Sequence, residues 1–277
     1  MKAGRLYIYC IIELNESKWG QKKRNGEEFS FRAIGIDKEE VTTVSFNDIA
    51  AVVSRTQIDQ FDEDGEEALT QYVTRHQQVI KFVMQTHPVI PMKFGTVAED
   101  QNELLEMLDR VYIQFKAAFN KLRDKIELAV QVFLDEQVAL QEIVAINKEI
   151  QRLMAQLPHD DLQANITIGK VVHDVVSQKR EAVIIDIRDY LLPHAADFAS
   201  NKLLTENMIM NGAFLVYKQE ETEFDDKVNE ISDKYNGNLQ FKYIGPMSPY
   251  SFVNIELTMP KFERKPAFQK SKPPIGN

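Results

Sequence analysis

The 277 residues carry 42 acidic against 33 basic side chains, a formal net charge of -9, with 44% apolar and 27% charged residues. This is the composition of a globular chain with a real core, and it excludes collagen-like, low-complexity and disulfide-scaffold classes. The acidic balance argues against a dedicated nucleic-acid binder, which needs basic side chains to replace phosphate counterions. Cys10 is the only cysteine, so no intrachain disulfide forms, and a reducing cytoplasmic setting is expected.

Residues 5–13 are dense in Leu, Tyr and Ile without helical spacing, which predicts a strand buried on both faces and opening a first sheet. The apolar run ends at Glu13, too short for a secretory signal or a membrane span. A polar, basic stretch around Trp19 at 15–28 reads as a surface loop, and strands are expected at 31–36, 41–46 and 49–55. From 66 to 87, Leu69, Tyr72, Val73, His76, Ile80, Val83, Met84 and His87 recur at spacings of three and four, one face of a helix. A strand at 89–97 follows. A second helix then carries Leu104, Leu105, Leu108, Val111, Tyr112, Phe115, Ala118, Phe119 and Leu122 on one stripe and ends near Asp124.

The second half opens with a strand at 126–135. Ala139, Ile143, Ile146, Ile150, Leu153 and Leu157 step by four and three until Pro158, the first arm of a helical hairpin. The return arm, about 165–198, carries Val172, Val176, Val183, Ile187 and Tyr190, with Pro193 expected to kink or end it. A strand at 208–217, a helix at 223–235 capped by Gly237, and a strand at 239–244 complete the pattern. The expected class is α+β, with two α/β-sandwich units: residues 1–124, and a ferredoxin-like unit at 125–259 with a long αα-hairpin inserted at about 138–200. Residues 260–277, where Lys261, Arg264, Lys265, Lys270 and Lys272 face only Glu263, read as a basic flexible tail.

The chain lacks the phosphate-cradling patterns GxGxxG and GxxxxGK[ST], the zinc pattern HExxH and the nucleophile elbow GxSxG, so no catalytic residue, metal or cofactor is assigned. The nearest candidate for a metal cluster is His159-Asp160-Asp161 with His173-Asp174. Its spacing fits a solvated loop and helix surface better. His76 and His87 lie on the apolar face of their helix, where an imidazole is more often a satisfied, partly buried side chain than a base or ligand.

Two segments, at 87–96 (HPVIPMKFGT) and 243–253 (YIGPMSPYSFV), place Pro, Gly and aromatic residues where the pattern reads as strand. Proline in a sheet is confined to edges, bulges and strand starts. Pro91 and Gly95 are expected to form an edge bulge, and Gly245, Pro246 and Pro249 a tight turn before a last strand at 251–257. Two uses remain open: backbone shape alone, or partner binding by Met92, Lys93, Phe94, Gly95, Gly245, Pro246, Pro249, Tyr250 and Phe252, with Met247 beside them.

These same segments, together with Leu6-Tyr7-Ile8-Tyr9, Ile49-Ala50-Ala51-Val52-Val53-Ser54, Arg75-His76-Gln77-Gln78-Val79 and Asn211-Gly212-Ala213-Phe214-Leu215-Val216, resemble the gas vesicle protein F/L family, in order from about residue 5 to 256. The family commonly has Arg where Lys93 stands and a bulkier or Pro-containing pair where Met247-Ser248 stands. The resemblance implies a non-enzymatic accessory or minor structural protein of gas vesicles, located at the vesicle and in the cytoplasm. Its implied partners are the small hydrophobic major shell protein and other gas vesicle accessory proteins, with no nucleic acid or lipid membrane among them. Two alternatives stand beside it: a ferredoxin-like small-molecule-binding regulator or enzyme, which requires an enclosed pocket with convergent polar groups, and the helical hairpin as the main partner surface.

Overall fold

The computed structural model describes residues 4–14, 30–58, 61, 63, 65–134, 151–152, 162–235 and 239–255. The loop at 15–28, nearly all of the first hairpin arm, the His159-Asp160-Asp161 run, Gly237 and the tail at 260–277 lie outside the described residues. The fold is α+β, and the described residues form two antiparallel sheets and four α-helices.

The first sheet is built from β1 (Arg5–Glu13), β2 (Ser30–Ile34), β3 (Glu40–Phe46), β4 (Ile49–Thr56), β5 (Val89–Pro91) and β6 (Val97–Ala98). Its order is β2-β3-β4-β1-β5, with β6 also pairing β1. β1 is therefore central, and its residues 6–12 are all buried, as its unbroken apolar run requires. A register shift between Ile8 and Cys10 puts Tyr7, Tyr9, Cys10 and Ile12 on one face and Leu6, Ile8 and Ile11 on the other.

Helix α1 (Glu66–Met84) covers the tyrosine face with Val79, Ile80 and Val83. It stops at Met84, short of the expected 87, because Pro88 lacks the amide that a continuing helix needs and biases the residue before it toward extended backbone. Helix α2 (Gln101–Leu122) covers the other face. Asp100 caps it by accepting the Glu103 amide at 2.9 Å, satisfying one of the free donors of the first turn. Its buried stripe is Leu104, Met107, Leu108, Val111, Phe115, Phe119 and Leu122. On the rim, Lys116 Nζ lies 2.5 Å from Glu13 and 2.8 Å from Asp48, and the Tyr112 hydroxyl donates to Asp48 at 2.6 Å.

The second sheet has the order β10-β7-β9-β8, from β7 (Lys125–Leu134), β8 (Asp197–Ser200), β9 (Met208–Tyr217) and β10 (Leu239–Met247). Helices α3 (Leu162–Leu191) and α4 (Glu221–Lys234) share a core with one of its faces, through Ile187, Leu191, Phe224, Val228 and Ile231 against Leu128, Val130, Phe214 and Val216. Hydroxyls and carboxylates tie these layers at their rims: Asp186 accepts from Lys234 and Tyr235, both at 2.6 Å, and the Tyr243 hydroxyl donates to Asp225. The alternate residues of β9, Ala213 and Leu215, belong instead to the core of α2 and the first sheet. One apolar core thus runs from the first sheet through α2 to the second.

Three expectations need correction. The return helix ends at Leu191, and Pro193 lies in a short 3-10 turn, Leu192–His194, so 197–200 are free to form β8. The expected strand at 89–97 is two strands, because Pro91 has no amide to continue the ladder. No strand forms across 251–255; a 3-10 turn at Tyr250–Phe252 stands there.

Candidate functional site

β5 lies on the edge of the first sheet. Pro91 pairs with Cys10, and the Met92 amide still donates to the Tyr9 carbonyl at 3.0 Å before the chain leaves the ladder. The next residues form a tight turn, with the Thr96 amide and hydroxyl both on the Lys93 carbonyl at 3.2 and 2.6 Å. The turn requires φ +83° at Gly95, where a Cβ would meet open space. Glycine is used there for its left-handed backbone.

β10 is likewise an edge strand. Its pairing with β7 is regular to Ile244↔Ala129 and then shifts register before Met247↔Glu127, across the cis Gly245-Pro246 bond. Here glycine is used for room: a Cβ on Gly245 would lie 2.4 Å from Leu128 Cδ2. The chain then turns through 250–252. The Ser251 amide and hydroxyl donate to the two oxygens of Glu127 at 3.0 and 2.7 Å, and Asn201 Nδ2 donates to Ser251 Oγ at 3.0 Å.

His76 joins the two segments. It is 2% exposed, on α1. Its Nε2 is 3.1 Å from the Met92 carbonyl and 3.0 Å from the Tyr250 hydroxyl, while Nδ1 is 2.8 Å from the Tyr7 hydroxyl. A carbonyl only accepts, so we assign the proton to Nε2; Nδ1 then accepts from Tyr7. The Tyr7 oxygen in turn accepts the Gly95 amide at 3.2 Å, and the Tyr250 hydroxyl reaches the Met92 carbonyl at 3.4 Å. This pattern is complete with a neutral imidazole, and burial pushes the His76 pKa down to about 4. Burial likewise raises the Tyr7 and Tyr250 hydroxyls and the Glu127 carboxyl, the last against the opposing effect of the two Ser251 hydrogen bonds.

Of the residues singled out from sequence, Lys93, Gly95, Gly245 and Pro246 are exposed, and Tyr250 is 38% exposed with its hydroxyl turned to His76. Phe94 is half-buried against Tyr7, Phe61 and His76. Met92, Pro249 and Phe252 are buried; Met92 and Phe252 share the core of α2. Of the groups that hold the segments in place, Tyr7 and Ser251 stand in stretches singled out from sequence, whereas Glu127 and Asn201 lie outside them. Glu127 lies within an apolar run, and a charge in such a run was the one available hint.

Among the described residues no group of three or more His, Cys, Asp and Glu side chains could hold a metal. His173 and Asp174 form an exposed pair at 3.5 Å. The core between the second sheet and its helices is filled by Leu128, Val130, Phe214, Phe224 and Ile231. An open groove of about 550 Å3 lies elsewhere, between Gly35–Lys38 and the α1 residues Thr70–Gln78. No helix among the described residues is long and apolar enough to cross a membrane.

The family model described as "Gas vesicle synthesis protein GvpL/GvpF" matches residues 5–254, a range that includes both segments. The chain belongs to the GvpL/GvpF family. Its relatives in this family include gas vesicle protein F of Dolichospermum flosaquae, 24% identical over 80% of this chain and 91% of that one. Gas vesicle protein F of Haloferax mediterranei is 23% identical over 91% and 94%, and gas vesicle protein L of a Streptomyces species is 24% identical over 80% and 86%. The crystal structure of GvpF from an Anabaena species superposes with a TM-score of 0.77 at 21% identity, covering 92% of this chain and all of that one. That of GvpF from Microcystis aeruginosa gives 0.71 at 22% identity, over 91% of this chain and all of that one. The GvpL/GvpF fold therefore extends over nearly the whole chain.

Proposed function

We propose that this protein is a non-enzymatic accessory or minor structural component of gas vesicles, which binds the hydrophobic major shell protein and other accessory proteins and supports vesicle nucleation and assembly. Its place is the vesicle and the surrounding cytoplasm. The observation that carries this reading is the pairing of two interrupted sheet edges at His76, within a family of gas vesicle synthesis proteins. Edge strands offer unpaired backbone groups to an added strand, and Lys93, Gly95, Gly245, Pro246 and Tyr250 form the exposed part of these two edges. Met92, Pro249 and Phe252 shape them from beneath.

We further propose a division near residue 124 into an N-terminal unit and a C-terminal unit at 125–259, followed by the basic tail at 260–277. A ferredoxin-like plan for the second unit is supported by its strand order and by the placement of helices between β7 and β8 and between β9 and β10; the hairpin, from about 138 to the end of α3 at Leu191, is its insertion.

The test is genetic and biochemical together. Deleting the gene in a vesicle-forming cell should abolish or deform vesicles, and the purified protein should retain the shell protein on a column. Lys93→Glu combined with Pro246→Ala should weaken that retention severalfold. Normal vesicles after deletion, or undiminished retention by the double variant, refutes the respective part of the reading.

A further inference from the structure

We infer that residues 248–255 are a strap, which opens as a unit while both sheets remain folded and thereby uncovers part of the core beneath Phe252. Past Met247 the chain pairs with no strand among the described residues. The backbone hydrogen bonds recorded for this stretch are internal, Tyr250 amide to Ser248 carbonyl at 2.8 Å and Phe252 amide to Pro249 carbonyl at 3.3 Å.

Attachment to the rest of the molecule therefore runs through side chains. Tyr250 reaches His76 and the Met92 carbonyl, Ser251 holds Glu127 and Asn201, and Ser248 Oγ makes only a 3.8 Å contact with Met84 Sδ. Phe252, 8% exposed, is the one large apolar side chain that the strap buries deeply, in the core that also holds Phe119, Leu122, Ala213 and Leu215. Val253 and Ile255 are only partly buried against it.

A segment with side-chain anchors and no ladder opens at a lower free energy than the strands beside it, where each opened residue breaks a cooperative set of backbone bonds. The anchors come from different layers: His76 from α1, Met92 from the edge of the first sheet, Glu127 from β7. Opening therefore releases the bridge between the two interrupted edges at one stroke. It also converts Phe252, Pro249 and the apolar surface beneath them from core into accessible surface, without unfolding β7 or β9. That consequence for partner binding rests on the function proposed above, whereas the opening itself does not.

Hydrogen exchange by mass spectrometry on the full chain tests the opening. The amides of Ser251 and Phe252, both hydrogen-bonded in the closed state, should exchange at least tenfold faster than those of β7 and β9. Tyr250→Phe with Ser251→Ala should accelerate them about tenfold more, with β1, β7 and β9 unchanged. Exchange of 251–252 at the rate of the β7 and β9 amides overturns the strap, and so does acceleration spread evenly over all strands. Should the double variant fail to fold, the wild-type comparison alone decides. Shell-protein retention separates the two ideas: stronger retention by the double variant supports the strap as a cover over the partner surface. Unchanged retention alongside the expected exchange pattern overturns that link and leaves the opening standing.

Discussion

Replacing His76 should change how stability responds to acid more than it changes any surface property. The imidazole is 2% exposed and titrates at about 4 in the fold against about 6.5 when exposed. An unfolded chain therefore takes up this proton first as the pH falls. The stability held by a neutral His76 is full above about pH 6.5 and drains as pH falls toward 4, by about 2.5 kcal/mol between pH 7.5 and 4.5. Glu127 works in the other direction: its raised pKa means the fold disfavours the ionised carboxylate, so its contribution grows on acidification. That contribution is common to the wild type and to His76→Gln, whose amide can still donate toward the Met92 carbonyl but does not titrate. Urea unfolding followed by far-UV circular dichroism at pH 7.5, 6.5, 5.5 and 4.5 gives both stability curves. The wild type should lose about 2.5 kcal/mol relative to the variant over this range. Parallel curves, differing by less than about 0.5 kcal/mol in their total fall, would refute the neutral, buried assignment.

Gly245→Ala and Gly95→Ala should differ in cost and in cause. The first forces a methyl group to within 2.4 Å of Leu128 Cδ2 and should cost about 1–3 kcal/mol as Leu128 is displaced in the core. The second has room but must hold φ +83°, a strain of about 1 kcal/mol; equal or reversed melting temperatures would contradict this distinction. Phe115→Ala removes a fully buried ring from the α2 stripe and should cost about 3–5 kcal/mol, read from the urea midpoint. A loss under about 1.5 kcal/mol would mean that α2 is not packed as described.

The strands that sequence made legible, β1, β3, β4, β7 and β9, are buried runs long enough for their composition to dominate. The α2 stripe was equally plain, since seven of its side chains point into one core. β8 escaped because it is four residues long, begins with Asp197 and follows a helical pattern that Pro193 interrupts only just before it. The two Pro/Gly segments announced themselves by their chemistry, but their meeting did not. Tyr7 and Tyr250 stand 69 and 174 positions from His76, and nothing in the local sequence around His76 calls for either. Their convergence follows from the order of strands in two sheets, which is set by the whole chain. The burial of Met92 and Phe252 has a related cause, since both lie in the core that α2 shares with Ala213 and Leu215 of the second sheet.

The core that α2 shares with Ala213 and Leu215 also imposes an order on synthesis. Chain elongation at about 5–20 residues per second leaves roughly 5–20 s between the emergence of α2 and that of β9. During that interval the nascent N-terminal half has its sheet and both its helices but lacks the apolar side chains that finish its interior. It must wait in that state, unfinished and adhesive, until the C-terminal half arrives. The last folding step of this chain is thus the covering of an apolar surface.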